Sequence, residues 1–173
     1  TAYNVTDLRT GEILSTKIGV PRDLAVSVRR NGVYQMAEID PRFRTYYIAD
    51  EVICENLTAR MLKAFGLSLG LATNLAGSAA YSPEELRSPE FTQKYGITAS
   101  VMDNVLYNYL AQPGDKEKGV VLIVDKPGVC DAFTLKYLYA ATSENESDML
   151  KKWAMEHDGD PRYFYGKRSP AYA

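Results

Sequence analysis

From Asp50 onward the apolar positions fall into a helical period, with Val52, Ile53, Leu57, Met61, Leu62 and Phe65 recurring three or four residues apart. Asp50 stands where an N-cap is expected, and Gly70 is the natural terminator. This long helix runs into a loop of small residues, Leu75-Ala76-Gly77-Ser78-Ala79-Ala80. Ahead of it, residues 1–10 are polar and turn-like, ending in Arg9-Thr10-Gly11. Glu12 to Val20 alternates, with Ile13, Ile18 and Val20 branched, and predicts a strand that Pro21 terminates. Asp23 to Arg30 fits either a short helix or an irregular segment. Asn31-Gly32 is a turn signal, with a short extended piece expected over Val33 to Ala37. Asp40-Pro41 opens a loop whose Arg42 and Arg44 read as a solvated basic face.

Past the small-residue loop, Ser82-Pro83-Glu84-Glu85 has the form of a capping box with Pro at the first helical position. Ser88-Pro89-Glu90 repeats that start and Tyr95-Gly96 closes it, so two short helices are predicted. Ile97 to Asp103 is a tight segment, Asn104 to Gln112 is rich in aromatics and amides, and Pro113-Gly114-Asp115 is a turn. Gly119 to Val124 fits a short strand or an extended loop. Asp131 to Ala140 has a helical period, with Phe133, Leu135, Tyr137 and Leu138 available to the core. Glu144 to Glu156 predicts a last amphipathic helix carrying Trp153, and the aromatic tail Pro161 to Gly166 is expected to dock on the domain. No repeat, low-complexity tract or internal linker interrupts the pattern, and a helix-rich α/β (α+β) domain spanning residues 1–173 is the expected organisation.

Composition narrows the function. The chain has 173 residues, enough for one domain with a continuous core. Its formal net charge of −2 leaves no basic footprint for nucleic acid. No apolar run reaches the roughly 18 residues of a membrane span. The opening Thr1-Ala2-Tyr3-Asn4 has neither an initiator Met nor a signal-peptide pattern, and is expected to be the start of a piece of a longer chain. Cys54 and Cys130 are read either as one disulfide or as two buried free thiols. With His157 the only histidine, a three-histidine metal site cannot be assembled within this chain.

The decisive stretch is Lys63-Ala64-Phe65-Gly66-Leu67-Ser68-Leu69-Gly70-Leu71-Ala72-Thr73-Asn74. Together with Asp7-Leu8-Arg9-Thr10-Gly11-Glu12-Ile13-Leu14, Ala76-Gly77-Ser78, Leu86-Arg87-Ser88, Phe91 to Gly96, Ser100-Val101-Met102-Asp103 and Tyr109-x-Ala111-Gln112-Pro113-Gly114-Asp115, it resembles the catalytic domain of a family of large bacterial zinc-dependent metalloproteases. These are metzincin-like zincins, secreted or envelope-associated, whose signature is HExxHxxGxxH followed by a Met-turn. The resemblance covers nearly the whole chain, as the half of that domain from its edge strand onward, and makes the long helix a former active-site helix.

In such a domain two histidines at i and i+4 bind zinc from one helical face, and a glycine turns the chain so that a third histidine returns to the metal. The glutamate after the first histidine polarises the zinc-bound water. Carried over, the first ligand position is Lys63, the general-base position Ala64, the second ligand Leu67 and the third Thr73. Gly70 and Asn74 remain, as do Met102 and Asp103 of the Met-turn, in structural roles. A protonated lysine has no lone pair for a metal, leucine has no donor, and alanine cannot accept a proton. The resemblance therefore implies a degenerate peptidase domain, a pseudoprotease that holds no zinc and carries no catalytic residues. Its implied role is to bind or scaffold a peptide or protein, in a secreted or cell-envelope setting.

Three finer expectations follow. Leu67 fills space that a ligand and metal would occupy. The Lys63 ammonium is partly buried and paired with a carboxylate, Asp103 being the candidate; the competing expectation is that its stem packs while its head reaches solvent. Tyr107, Tyr109 and the 72–80 loop border the former substrate cleft. The alternatives are an active metalloendopeptidase using non-standard Asp, Glu or Cys ligands, and a hydrolase built on Ser68 or Ser78 with His157, or on Asp103 with Asp131. Asn4-Val5-Thr6, Asn56-Leu57-Thr58 and Asn145-Glu146-Ser147 match the glycosylation triplet by chance.

Overall fold

A computed structural model describes residues 2–141 and 145–166. Its architecture is helix-rich α+β, with six α-helices and one two-stranded sheet among the described residues. Strand β1 (Ala2–Thr6) pairs antiparallel with β2 (Ile13–Ile18), with Ala2 opposite Ile18 and an irregularity between Val5 and Thr6. The polar opening is thus a strand, and only Asp7 to Glu12 is the turn, closed by the Asp7 N–H donating to the Glu12 carbonyl at 2.9 Å. The inward-facing positions explain why no apolar alternation announces β1. Asn4 points to the long helix and donates from Nδ2 to the Leu67 carbonyl at 2.7 Å, while Tyr3 and Val5 lie exposed.

Helix α1 (Leu24–Met36) is continuous through Asn31-Gly32, where a turn and an extended piece were expected. Packing overrides the local turn preference. A Cβ on Gly32 would lie 2.0 Å from the buried Phe43 ring, so glycine is the residue that lets α1 approach this aromatic core residue. Phe43 sits on a 3-10 turn, Pro41–Arg44, capped by the Asp40 carboxylate. The expected solvated face is instead partly a bonded one. Arg42 bridges Asp40 at 2.8 Å and Glu55 at 2.8 Å, joining this turn to the next helix.

That helix, α2 (Asp50–Ser68), has its N-cap at Ala49, which places Asp50 and Glu51 in the first turn where the helix dipole favours acids. Its buried residues are Val52, Asn56, Ala59, Ala64 and Gly66. Of the apolar stripe that predicts the helix, Val52 is fully buried and Ile53, Leu57 and Leu62 pack against the core, whereas Phe65 is largely exposed. The two short helices follow as α3 (Pro83–Leu86), with the full Ser82/Glu85 capping box, and α4 (Pro89–Tyr95), capped by Ser88. Gly119 closes a turn with φ of 94°, and the following residues 120–124 form no strand beyond one isolated bridge between Tyr107 and Ile123. Helix α5 (Val129–Tyr139) begins slightly earlier than its apolar period. Tyr137 and Leu138, expected to be available to the core, are exposed. Helix α6 (Glu146–Glu156) follows; the expected start at residue 144 lies outside the described residues.

The main core joins α1, the Phe43 turn, α2 and the segment from Leu86 to Val124, with Val28, Met36, Val52, Leu86, Ile97 and Tyr107 nearly or fully buried. The aromatic tail docks as expected: the Leu75 N–H donates to the Gly166 carbonyl at 2.9 Å, and His157 stacks on Tyr163 at 3.8 Å. Both cysteines are free, with Cys130 buried and Cys54 exposed, which corrects the reading of Cys54 as a buried thiol. No helix among the described residues is long and apolar enough to cross a membrane.

Candidate functional site

The C-terminal end of α2 builds the site. The chain leaves the helix through paired hydrogen bonds: the Gly70 N–H donates to the Leu67 carbonyl at 3.0 Å, and the Leu71 N–H to the Gly66 carbonyl at 3.0 Å. This Schellman arrangement needs a left-handed residue, and Gly70 supplies it with φ of 81°. Gly70 therefore turns the chain sharply at the end of the helix, as its spacing implies. One turn earlier, Gly66 lies directly on Met102; a Cβ there would stand 2.6 Å from the methionine sulfur. Met102 is 2 % exposed and sits in the turn that the Asp103 N–H closes on the Ser100 carbonyl at 3.3 Å.

Asn74 holds the returning loop in place. Its Oδ1 accepts from the Ala76 and Gly166 N–H groups at 3.1 and 3.0 Å. Its Nδ2 donates to the Phe164 carbonyl at 3.1 Å and to the Cys130 sulfur at 3.4 Å. The Asn74 N–H donates to the Met102 carbonyl at 3.3 Å. One buried side chain thus joins the loop after α2, the start of α5 and the tail, while its backbone joins the methionine turn.

The four positions to which the resemblance assigns the family's chemistry differ in environment. Ala64 is buried, Leu67 is partly buried against the core, and Thr73 is exposed in the loop. Lys63 is partly buried, and its Nζ donates to the Asp103 backbone carbonyl and to Asn104 Oδ1, both at 2.8 Å. The expected carboxylate pairing is corrected in detail. The Asp103 carboxylate accepts from the Ser78 and Asn104 N–H groups, both at 2.6 Å, and the lysine takes a neutral carbonyl and a neutral amide. Burial pushes the Lys63 ammonium down from its ordinary value, and the Asp103 charge pulls the other way.

Lys63 and Asp103 open onto a cavity of about 600 Å³. Ser78, Tyr107 and Tyr109 also line it, whereas Ala64, Leu67 and Thr73 do not. Tyr109 is a rim residue, exposed and donating its hydroxyl to the Ser78 carbonyl at 2.9 Å. Tyr107 belongs to the core; its hydroxyl donates to Asn56 Oδ1 at 2.6 Å, and burial pushes its phenol up to about 12.

The other chemical candidates are occupied elsewhere. His157 packs between Tyr163 and Phe133, and Ser68 Oγ donates to the Phe65 carbonyl at 2.7 Å. Asp131 and Asp103 bond to different donors. Asp131 accepts from Ser100 Oγ at 2.6 Å, the Val101 N–H at 2.8 Å and the Gly128 N–H at 2.9 Å. Sequence reasoning weighed Asp131 only as an acid or base and missed this role. Its third-residue spacing after Gly128, at the opening of a helix, is the signal that points to it.

The Met-zincin family pattern matches residues 47–172, from just before α2 to the end of the tail. The chain belongs to the Met-zincin family. Searches of curated proteins and of solved structures found no match. The zinc-dependent chemistry of a Met-zincin requires a donor set, and the residues here do not fit one. Leu67 and Ala64 offer no ligand atom, and the ammonium of Lys63 has no lone pair for a metal. Among the described residues there is also no group of three or more His, Cys, Asp or Glu side chains arranged to hold a metal ion.

Proposed function

We propose that this Met-zincin domain is a catalytically degenerate peptidase, a pseudoprotease that binds or scaffolds a peptide or protein through its former substrate cleft. The observation that carries this reading is Lys63, whose ammonium is tied to Asp103 and Asn104 at the position that the resemblance assigns to the first zinc ligand. A positive charge held there repels a metal cation, and the bonds that hold it are satisfied without one. The supporting framework at the end of α2 is intact: Gly70 turns the chain, Met102 lies under α2, and Asn74 secures the loop. Geometry is kept where packing requires it, and donors are lost where only chemistry requires them.

The domain is proposed to span residues 1–173, to hold no zinc, and to work outside the cytoplasm in a secreted or cell-envelope protein, as the family resemblance implies. A proteolysis assay tests the reading. Purified protein supplied with zinc is incubated with denatured casein and with a quenched fluorescent peptide library. No cleavage above the background of the same preparation treated with chelator is expected. Chelator-sensitive cleavage would instead establish a working metalloendopeptidase with non-standard ligands.

A further inference from the structure

The cleft carries two cations that no carboxylate among the described residues neutralises by direct contact. Arg60 and Lys63 lie one turn apart on α2, and both line the cavity of about 600 Å³. Arg60 donates from Nη2 to Ser27 Oγ at 3.3 Å, while its buried Nε has no hydrogen-bond partner. Lys63 gives two of its three N–H groups to neutral oxygens, at 2.8 Å each, which leaves one donor uncommitted. Elsewhere comparably placed cations are matched, as Arg42 is with Asp40 and Glu55, and Arg87 with Asp115.

Among the described residues Asp103 is the one carboxylate lining this cavity, and both its oxygens accept from the N–H groups of Ser78 and Asn104. Its charge offsets part of the positive field, leaving a net charge of one positive unit from Arg60, Lys63 and Asp103. Val101, Val105, Leu106 and Tyr109 supply apolar wall beside this cationic floor. The volume falls within the range of sites that enclose small ligands or a few peptide residues, roughly 300–1,000 Å³.

We propose that the cleft recognises a peptide carboxylate, held by the Lys63 ammonium and the Arg60 guanidinium beside an apolar side chain. This rests on the reading of the cleft as a peptide-binding site and specifies the ligand chemistry. A carboxylate in the cavity offers a charged acceptor to the remaining donor of Lys63 within the field of Arg60, and charge-assisted bonds of this kind are stronger than neutral ones. A neutral peptide carbonyl offers neither the charge nor the second oxygen.

Three peptides separate the sources of that group: N-acetyl-Ala-Leu-Phe with a free C-terminus, the same peptide as its C-terminal amide, and N-acetyl-Ala-Leu-Glu amide. Binding is read from amide chemical shifts of isotope-labelled protein. The free acid is expected to shift residues 59–63 and 101–106 and to bind about tenfold or more tighter than its amide. Lys63→Met and Arg60→Met should each abolish most of that preference, and Lys63→Arg should retain it. If Lys63→Met fails to fold, the acid-to-amide ratio of the native chain and the Lys63→Gln variant decide the matter. Equal binding by the glutamate amide assigns the carboxylate to a side chain, and weaker binding assigns it to a chain terminus; both support the proposal. Equal binding by acid and amide overturns it while leaving the peptide-binding reading in place. Absence of shifts with all three peptides overturns it as well, whereas failure of the pseudoprotease reading would show in the proteolysis assay.

Discussion

At the residue scale, Lys63 and Asn74 carry the most weight, for opposite reasons. Lys63 is a charge partly removed from water and compensated by neutral acceptors, so its folded pKa lies below the ordinary lysine value of 10.5. Between the two values the unfolded chain holds more protons than the folded one, and stability rises as the pH climbs through that interval. Lys63→Met removes this slope. The native chain should gain stability relative to Lys63→Met as the pH is raised toward 10.5, measured by urea denaturation at several pH values. At neutral pH the Met variant should be at least as stable as the native chain. Parallel curves would show that the ammonium carries no burial cost. Asn74 is the contrasting case, an uncharged amide at 2 % exposure with every polar atom engaged. Asn74→Ala leaves several buried partners unmatched and should cost about 2–4 kcal/mol in denaturant unfolding, with earlier proteolysis of the tail.

At the element scale, α2 is legible because its apolar residues recur at helical spacing, yet its most buried face was not. Asn56, Ala59, Ala64 and Gly66 are small or polar, so a reading that follows large apolar residues finds Val52 and the half-buried Leu57 but passes over these four and includes the exposed Phe65. The same limitation hid β1, whose inward Asn4 breaks the apolar alternation. In α1 the error ran the other way, since Asn-Gly is a strong local turn signal that long-range packing overrides. Gly32→Ala tests that account. The added methyl would meet an aromatic ring at 2.0 Å, with no flexible end to move aside, and should destabilise the protein by about 2–3 kcal/mol or more in thermal or urea unfolding. The capped helices α3 and α4 were readable in full because their Ser-Pro-Glu starts encode local hydrogen bonds that need no tertiary help.

At the scale of the whole molecule, the candidate site was legible as positions and less so as contacts. Gly70 ends α2 and Met102 packs against Gly66, while the cavity is lined by Lys63, Asp103 and Tyr109. Arg60 escaped notice because an isolated arginine in a helix carries no motif, and only the cavity shows what it faces. The partner of Lys63 was misassigned for a related reason: spacing brings Asp103 near, and cannot say that a backbone carbonyl rather than the carboxylate receives the bond. If the fold stands independently of a metal, a family donor set can be built into it. Lys63→His, Ala64→Glu, Leu67→His and Thr73→His in one chain should lower the melting temperature without metal, because a glutamate enters the buried Ala64 position. Added zinc should then raise it, by the usual linkage of binding to stability, and should not raise that of the native chain. The most direct measurement is zinc per chain, by plasma mass spectrometry of native protein prepared from zinc-supplemented culture and dialysed without chelator. The account predicts far less than one zinc per chain; one zinc retained per chain through dialysis would contradict it.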